Sequence, residues 1–464
     1  MVFSEKVPAN GSADGIAVNH NSASGMRRAL LSSFALATCA LMLSSATLAN
    51  DYPVVADKSL AKLLGAGGRL SRKLHPFDDR QHAVWKLSSE TEPVSIPAEI
   101  QCVIKDSTAA DNAQMPYLVY MPEKDRVLII LERDQPVRTA LIHSDDHGVT
   151  WSKPRWLHVD ASDKPDVFVL GLTYLGAGKL MAYSEDVSNG HWRSADFGEN
   201  WSFVEPAKIK SARYVWDPLL VLRASDGRVN KLVESGYRPT EVAFGSADGP
   251  CSQGFSRFSG DEGQTWSDEL KVPQWLGVNE ITIIPARNGD WVAACRTDYP
   301  PRFAMPIVGT QSPEVRSGAL DHYSGLGVCV SKDEGQTWSK LNRLYEWGRH
   351  HPSMVFLPDG KIVMTYVVRL GYPYTADGLS QFGVEAVVSS DDGQTWDLEH
   401  RYVLATWVGN IQGANAWYCG VQSTSTLLLP DGKLLTAFGT GFRNPVETTV
   451  CKMDVALVRW QLSP

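Results

Sequence analysis

One short apolar segment carries a carboxylate at one end and a guanidinium at the other. Asn279-Glu280 opens it and Arg296 closes it. An arginine so placed can grip a carboxylate or hydroxyl with its planar fork while orienting the glutamate beside it. Trp216-Asp217-Pro218 opens a similar segment and offers a second carboxylate. Two carboxyl groups facing across a pocket are the minimum for ordinary glycoside hydrolysis, one as acid and the other as base or nucleophile. Arg349-His350-His351-Pro352 opens a further segment. Paired histidines beside an arginine can move protons near neutral pH, whereas a lone histidine in such a place is more often a packing residue. Ala416-Trp417-Tyr418 opens the last segment; its rings would stack on a sugar or pack between structural units. No Cys-x-x-Cys and no Cys/His spacing marks a metal site, and the expected chemistry needs no cofactor.

The segments that must position these residues share one pattern: an apolar strand, a turn rich in Pro, Asp and Gly, and a second apolar strand. It occurs six times, at 115–133, 166–185, 216–235, 279–296, 351–369 and 421–443. Runs of four to eight alternating or continuously apolar residues split by Asp-Gly or Asn-Gly turns are hairpin signals. No stretch holds a helical period.

A second repeat lies between the hairpins. The octapeptide S-x-D-x-G-x-T-W occurs five times, starting at Ser144, Ser194, Ser259, Ser331 and Ser389, with Asn200 replacing Thr in the second copy. The starts are 50, 65, 72 and 58 residues apart. Gly can take φ > 0 and Asp can accept from backbone amides, so the motif reads as a turn lock capped by Trp rather than as catalytic carboxylates. Six hairpins with five such turns imply units of four strands arranged as propeller blades. The sixth unit lacks the octapeptide. A strand at 100–105 beside a final strand at 455–462 would close the ring and remove the exposed edges.

The chain has 464 residues, 43% hydrophobic and 21% charged, with net charge -8. That composition excludes a mainly disordered or collagen-like chain, and without a stripe of Lys and Arg a nucleic-acid partner is excluded as well. Residues 1–49 read as an N-terminal extension and secretory signal: Met26-Arg27-Arg28, an apolar run from Ala29 to Leu43, then small residues to Ala49. The run is too short for a stable membrane span. The mature chain is therefore expected to be exported, periplasmic or extracellular, and monomeric. Residues 50–98 read as a linking segment and 99–464 as the propeller. Of seven cysteines, Cys39 lies in the signal. Cys102 and Cys451 fall on the two closing strands and could pair there; the others read as buried thiols.

Octapeptide turns between such hairpins resemble the Asp boxes (BNR repeats) of the sialidase, or neuraminidase, superfamily. The resemblance covers residues 100–464 and implies an all-β, six-bladed β-propeller with five Asp boxes. It further implies an exo-acting glycosidase that removes a terminal acidic sugar such as sialic acid, with a glycan as partner. In that family three arginines clamp the substrate carboxylate, a tyrosine paired with a glutamate is the nucleophile, and an aspartate is the acid/base. Carried onto this chain, Glu280 and Arg296 match the family's glutamate and second clamp arginine. Gln114 stands where the first arginine is found. The third arginine's place falls near Gln381, with Arg369 upstream. The nucleophile's place falls near Gln422 and Ser423, with Tyr418 offset, and Asp134 is the acid/base candidate. The catalytic candidates are thus Glu280, Asp134, Tyr418, His350, His351 and Asp217, and the substrate-binding candidates Arg296, Gln114, Arg349, Arg369, Gln381 and Gln422. A lyase acting at a uronate, using His350, His351, Tyr418 and Arg296, and a non-catalytic glycan-binding propeller are the competing readings.

Overall fold

The computed structural model describes residues 83–104, 113–134, 137–157, 168–184, 190–204, 212–243, 246, 248–299, 323–370, 379–410, 423–440 and 453–463. All belong to one compact unit spanning Asp57–Pro464. Among the described residues the structure is all-β, with a single 3₁₀ turn at Pro122–Lys124.

Strands β1 (Ala83–Lys86), β2 (Val94–Pro97) and β3 (Glu99–Ile104) come first. Six sheets follow as the blades of a propeller, each running antiparallel from an inner to an outer strand. Blade 1 is β4 (Ala113–Met121), β5 (Arg126–Asp134), β6 (Val137–Ser144) and β7 (Arg155–Trp156). Blade 2 is β8 (Val169–Gly176), β9 (Lys179–Ser184), β10 (His191–Ser194) and β11 (Ser202–Val204). Blade 3 is β12 (Leu220–Arg223), β13 (Val229–Pro239), β14 (Ser252–Ser259) and β15 (Leu270–Leu276). Blade 4 is β16 (Val278–Pro285), β17 (Trp291–Thr297), β18 (Gly325–Ser331) and β19 (Asn342–Tyr345). Blade 5 is β20 (Arg349–Phe356), β21 (Ile362–Leu370), β22 (Leu379–Ser389) and β23 (Tyr402–Asn410). Blade 6 is β24 (Thr424–Leu428), β25 (Leu434–Thr440) and β26 (Asp454–Trp460).

The ring closes where β26 pairs antiparallel with β3, which supplies the outer strand of blade 6 from the other end of the chain. The sixth blade therefore has no outer hairpin in which an octapeptide turn could sit. Cys102, in β3, donates its thiol to the Ile104 carbonyl at 3.0 Å; Cys451 lies outside the described residues. Part of the segment ahead of residue 99 also joins the ring, because β1 pairs with β23 and β2 with β1, widening blade 5 to six strands.

The five octapeptides fold alike on the outer hairpins. In the first, Ser144 Oγ donates to Asp146 Oδ1 at 2.7 Å, and the Gly148 amide donates to Ser144 Oγ at 2.8 Å. Thr150 donates its amide and its hydroxyl to the two Asp146 oxygens at 2.8 and 2.6 Å. In the second copy the Asn200 side-chain amide replaces that hydroxyl, 2.6 Å from Asp196 Oδ2.

Apolar faces of neighbouring blades build the core; one cluster, for example, joins Leu131, Ile129 and Ile142 of blade 1 to Leu435, Ala437 and Leu457 of blade 6. Hydroxyls staple neighbouring blades together. Thr139 Oγ1 accepts from the Val169 amide, Thr173 Oγ1 from Leu219, Ser353 Oγ from Thr426 and Ser425 Oγ from Leu118, while Ser235 Oγ donates to the Ile281 carbonyl. These five bonds join blades 1–2, 2–3, 5–6, 6–1 and 3–4 in turn. The axis itself is a channel of about 290 Å³, reached by Tyr117, Thr173, Leu220, Thr282, Ser353 and Thr424 from the six inner strands.

Candidate functional site

The inner strands share an irregularity that sets up the site. In β4, β8, β16 and β20 the pairing register slips close to the strand's start, at Gln114/Tyr117, Leu170/Thr173, Asn279/Ile281 and His350/Ser353. A residue with positive φ sits in each slip: Met115 (49°), Gly171 (62°), Glu280 (45°) and His351 (52°). Gly171 is required, since a Cβ there would lie 2.8 Å from the Asp217 carbonyl oxygen. The left-handed conformation costs a non-glycine residue roughly 1–3 kcal/mol and persists only where surroundings impose it. The bulge re-aims a side chain, and in blades 4 and 5 those side chains are Glu280 and His351.

They meet each other. His351 Nδ1 lies 3.0 Å from Glu280 Oε2, and Arg296, on β17 opposite Asn279, donates to Glu280 Oε1 at 2.7 Å. Arg296 Nε also donates to Ser324 Oγ at 2.8 Å. On its far side His351 presents Nε2 to Asp217 Oδ1 at 3.9 Å. Asp217 precedes β12 and lines the axial channel. Asp217, Glu280 and His351 are each at most 5% exposed. Three blades thus contribute a carboxyl, a carboxylate–arginine pair and an imidazole to one spot.

Their charges are coupled. Burial raises Asp217 from 3.8 to about 7, Glu280 adds to the rise, and His351 opposes it. Burial alone would lower His351, but Glu280 and then Asp217 outweigh it and the imidazole ends above its ordinary value. Burial also raises the Tyr237 phenol well above its ordinary range, with Glu280 adding to the rise and Arg296 opposing it. A carboxyl neutral near pH 7, held one imidazole away from an ion-paired carboxylate, is equipped for proton transfer.

In comparison with known proteins, no protein-family model and no curated protein matches the sequence. Among solved structures the chain is similar to a protein of unknown function from Dyadobacter fermentans, at 13% identity over 78% of this chain and 99% of that one, with TM-score 0.53. That likeness is one of fold. A Trypanosoma rangeli sialidase in complex with sialic acid matches at 15% identity and TM-score 0.47, over 78% of this chain and 58% of that one. A Penicillium chrysogenum alpha-L-arabinanase complexed with arabinobiose matches at 13% and 0.44, over 78% and 98%.

The other candidates named from sequence fall elsewhere or outside the described residues. Arg349 is buried within blade 5, its guanidinium 2.8 Å from Glu385, which Arg401 approaches at 3.3 Å and the Tyr366 hydroxyl at 3.2 Å. Arg369 is fully buried at the end of β21, and its amide donates to the Gly348 carbonyl. His350 is buried opposite Val367. Gln114 is buried in blade 1 and donates to Glu132 at 3.2 Å. Asp134 and Gln381 are placed by backbone register alone, opposite Val137 and Leu370. Tyr418 and Gln422 lie outside the described residues. Among the described residues no cluster of His, Cys, Asp and Glu could hold a metal ion, and no helix is long and apolar enough to cross a membrane.

Two features went unread in the sequence. Glu234 and Glu385 interrupt apolar strands, and both prove to be buried, each between two guanidinium groups; Arg213 and Arg257 meet Glu234 as Arg349 and Arg401 meet Glu385. A charge inside an apolar strand is itself the signal for such a cluster. Asp298, two positions beyond Arg296, was the other.

Proposed function

We propose that the chain is a glycoside hydrolase of the sialidase-like propeller class whose chemistry is carried by Asp217, Glu280, His351 and Arg296. One arrangement carries the reading: Asp217, whose carboxyl burial pushes up to about 7, and Glu280, ion-paired to Arg296, flank the same buried imidazole. Asp217 is the acid that protonates the departing glycosidic oxygen as the C–O bond breaks. Glu280 is the anion facing the oxocarbenium-like charge that develops on the sugar. Water then adds to the sugar carbon, and the proton it loses passes to His351 as the imidazole passes its own back to Asp217, so that both groups end as they began. Arg296 orients Glu280 and, with His351, supplies the positive field that suits a terminal acidic sugar such as sialic acid. Tyr418 and Gln422, which precede the sixth inner hairpin in sequence, are the further substrate contacts in this reading, and the enzyme acts as an exported monomer.

A lyase is the second reading, favoured by one feature: His351 Nε2 is buried and has no hydrogen-bond partner among the described residues. Such a nitrogen, once the imidazole has given up its proton, could remove the proton beside a uronate carboxyl group. Incubation with sialyl, uronate and neutral glycosides separates the readings. Free sugar marks a hydrolase, an unsaturated ultraviolet-absorbing product a lyase, and binding without turnover a glycan-binding propeller.

A further inference from the structure

We propose that Asp298 is a positioning residue that locks the Asn279–Glu280 bulge and so holds Glu280 against His351 and Arg296; this rests on the site proposed above. Asp298 follows β17 and is 8% exposed. Its carboxylate accepts from the amides of Cys251 and Ser252 at 2.8 and 3.1 Å, from Ser252 Oγ at 2.6 Å and from Asn279 Nδ2 at 2.9 Å. The Cys251 thiol adds a fifth donor at 3.3 Å.

Every one of these partners is a neutral N–H, O–H or S–H group. Convergent donors demand a group that only accepts, and an ionised carboxylate is that group. An asparagine would turn an NH₂ toward them. The contacts also tie together two blades. Cys251 and Ser252 lie at the start of β14 in blade 3, while Asn279 is the residue immediately before Glu280 in blade 4. The backbone reinforces the tie: the Asp298 amide donates to the Gly277 carbonyl, and the Gly277 amide donates to the Ser252 carbonyl. Gly277 takes φ 75°, so the chain enters β16 through a turn that glycine permits. The bulge at Asn279/Ile281 is therefore pinned on its N-terminal side, at Gly277 and Asn279, just before Glu280 adopts φ 45°. Without Asp298 the Asn279 amide keeps only the long contact to Ser252 Oγ at 3.5 Å, and Glu280 is free to relax toward ordinary strand geometry.

The test uses the intact protein without substrate. The groups facing His351 are Glu280, Asp217 and, beyond Glu280, Arg296, so the imidazole titration reports where Glu280 is. Histidine-selective NMR is recorded across pH for wild type, Asp298→Asn and the milder Ser252→Ala. The expected result is a His351 midpoint lowered by about 1 pH unit or more in Asp298→Asn and by less in Ser252→Ala, as Glu280 withdraws. An unchanged His351 midpoint in folded Asp298→Asn overturns the proposal; should that variant not fold, an unchanged midpoint in Ser252→Ala does so. Where wild type turns over a glycoside, Asp298→Asn should lower kcat about 10–100-fold with KM within about twofold. A wild type without turnover rejects the hydrolase reading but leaves the titration readable, so the two failures are distinct.

Discussion

Glu280 and His351 occupy the same irregular position of two adjacent inner strands, both at positive φ, and are joined at 3.0 Å. Of the ten described non-glycine residues with positive φ, five are the fourth residue of an octapeptide turn. Asp125 and Ala177 lie in hairpin turns, and only Met115, Glu280 and His351 sit at inner-strand bulges. Left-handed geometry away from a turn is where strain and function coincide.

Removing the anion should separate chemistry from folding. Glu280→Gln keeps the shape but leaves Arg296 and His351 without their counter-charge. The expected outcome is a loss of about 10²–10⁴ in kcat with a far-ultraviolet circular dichroism spectrum like wild type. Full turnover in that variant would move the active centre elsewhere.

Stability should fall as pH rises through neutrality. Asp217 keeps its proton in the folded protein up to about pH 7 but loses it near 3.8 in the unfolded chain, so its contribution is complete below about pH 4 and lost as pH passes 7. His351, raised above 6.5, contributes fully below the unfolded value and loses its contribution as pH passes the folded one. Both slopes have the same sign. Asp217→Asn should flatten the curve and stabilise the protein at pH 8 by about 1–4 kcal/mol, read from urea unfolding between pH 5 and 8. The same drop in the variant as in wild type would show that Asp217 is not the group responsible.

The buried glutamate of blade 5 should matter to folding alone. Glu385→Gln leaves Arg349 and Arg401 without their shared partner and should cost about 3–5 kcal/mol. Substrate affinity should be unchanged in the folded fraction, because Arg349 serves the blade. A normal melting temperature with weakened binding would instead return Arg349 to the substrate.

The outer turns should behave likewise. Trp338 is 5% exposed and packs against Trp275 with ring centroids 4.9 Å apart, so Trp338→Ala should cost about 3–5 kcal/mol. Asp261→Ala removes the acceptor for Ser259 and Thr265 and should lower the melting temperature. Neither change should alter affinity; normal stability with lost turnover would contradict this assignment.

The architecture was legible because its signals are local. Each octapeptide bonds within itself and each hairpin carries its own turn, so six blades and the closing strand near residue 100 could be read from the repeats. The pairing of Glu280 with Arg296 was legible for the same reason, both lying on one hairpin. The approach of His351 to Glu280 and Asp217 was legible only as shared position at strand starts, since the contacts cross blade boundaries that the sequence does not display. Arg349 shows the limit. It stands two residues before His351, where regular alternation would put both on one face; the bulge at His351 breaks that alternation, and Arg349 meets Glu385 instead. Asp298 was hidden because its partners Cys251, Ser252 and Asn279 come from different blades and none has a distinctive spacing.

The most direct measurement is product release by purified wild type and Glu280→Gln from sialyl, uronate and neutral glycosides, followed by chromatography and ultraviolet absorbance together. The account predicts free, saturated sugar from wild type, most readily from a terminal acidic residue, and release lowered by at least about 100-fold in folded Glu280→Gln. An unsaturated product, binding with no turnover on any substrate, or equal release by the variant would contradict it.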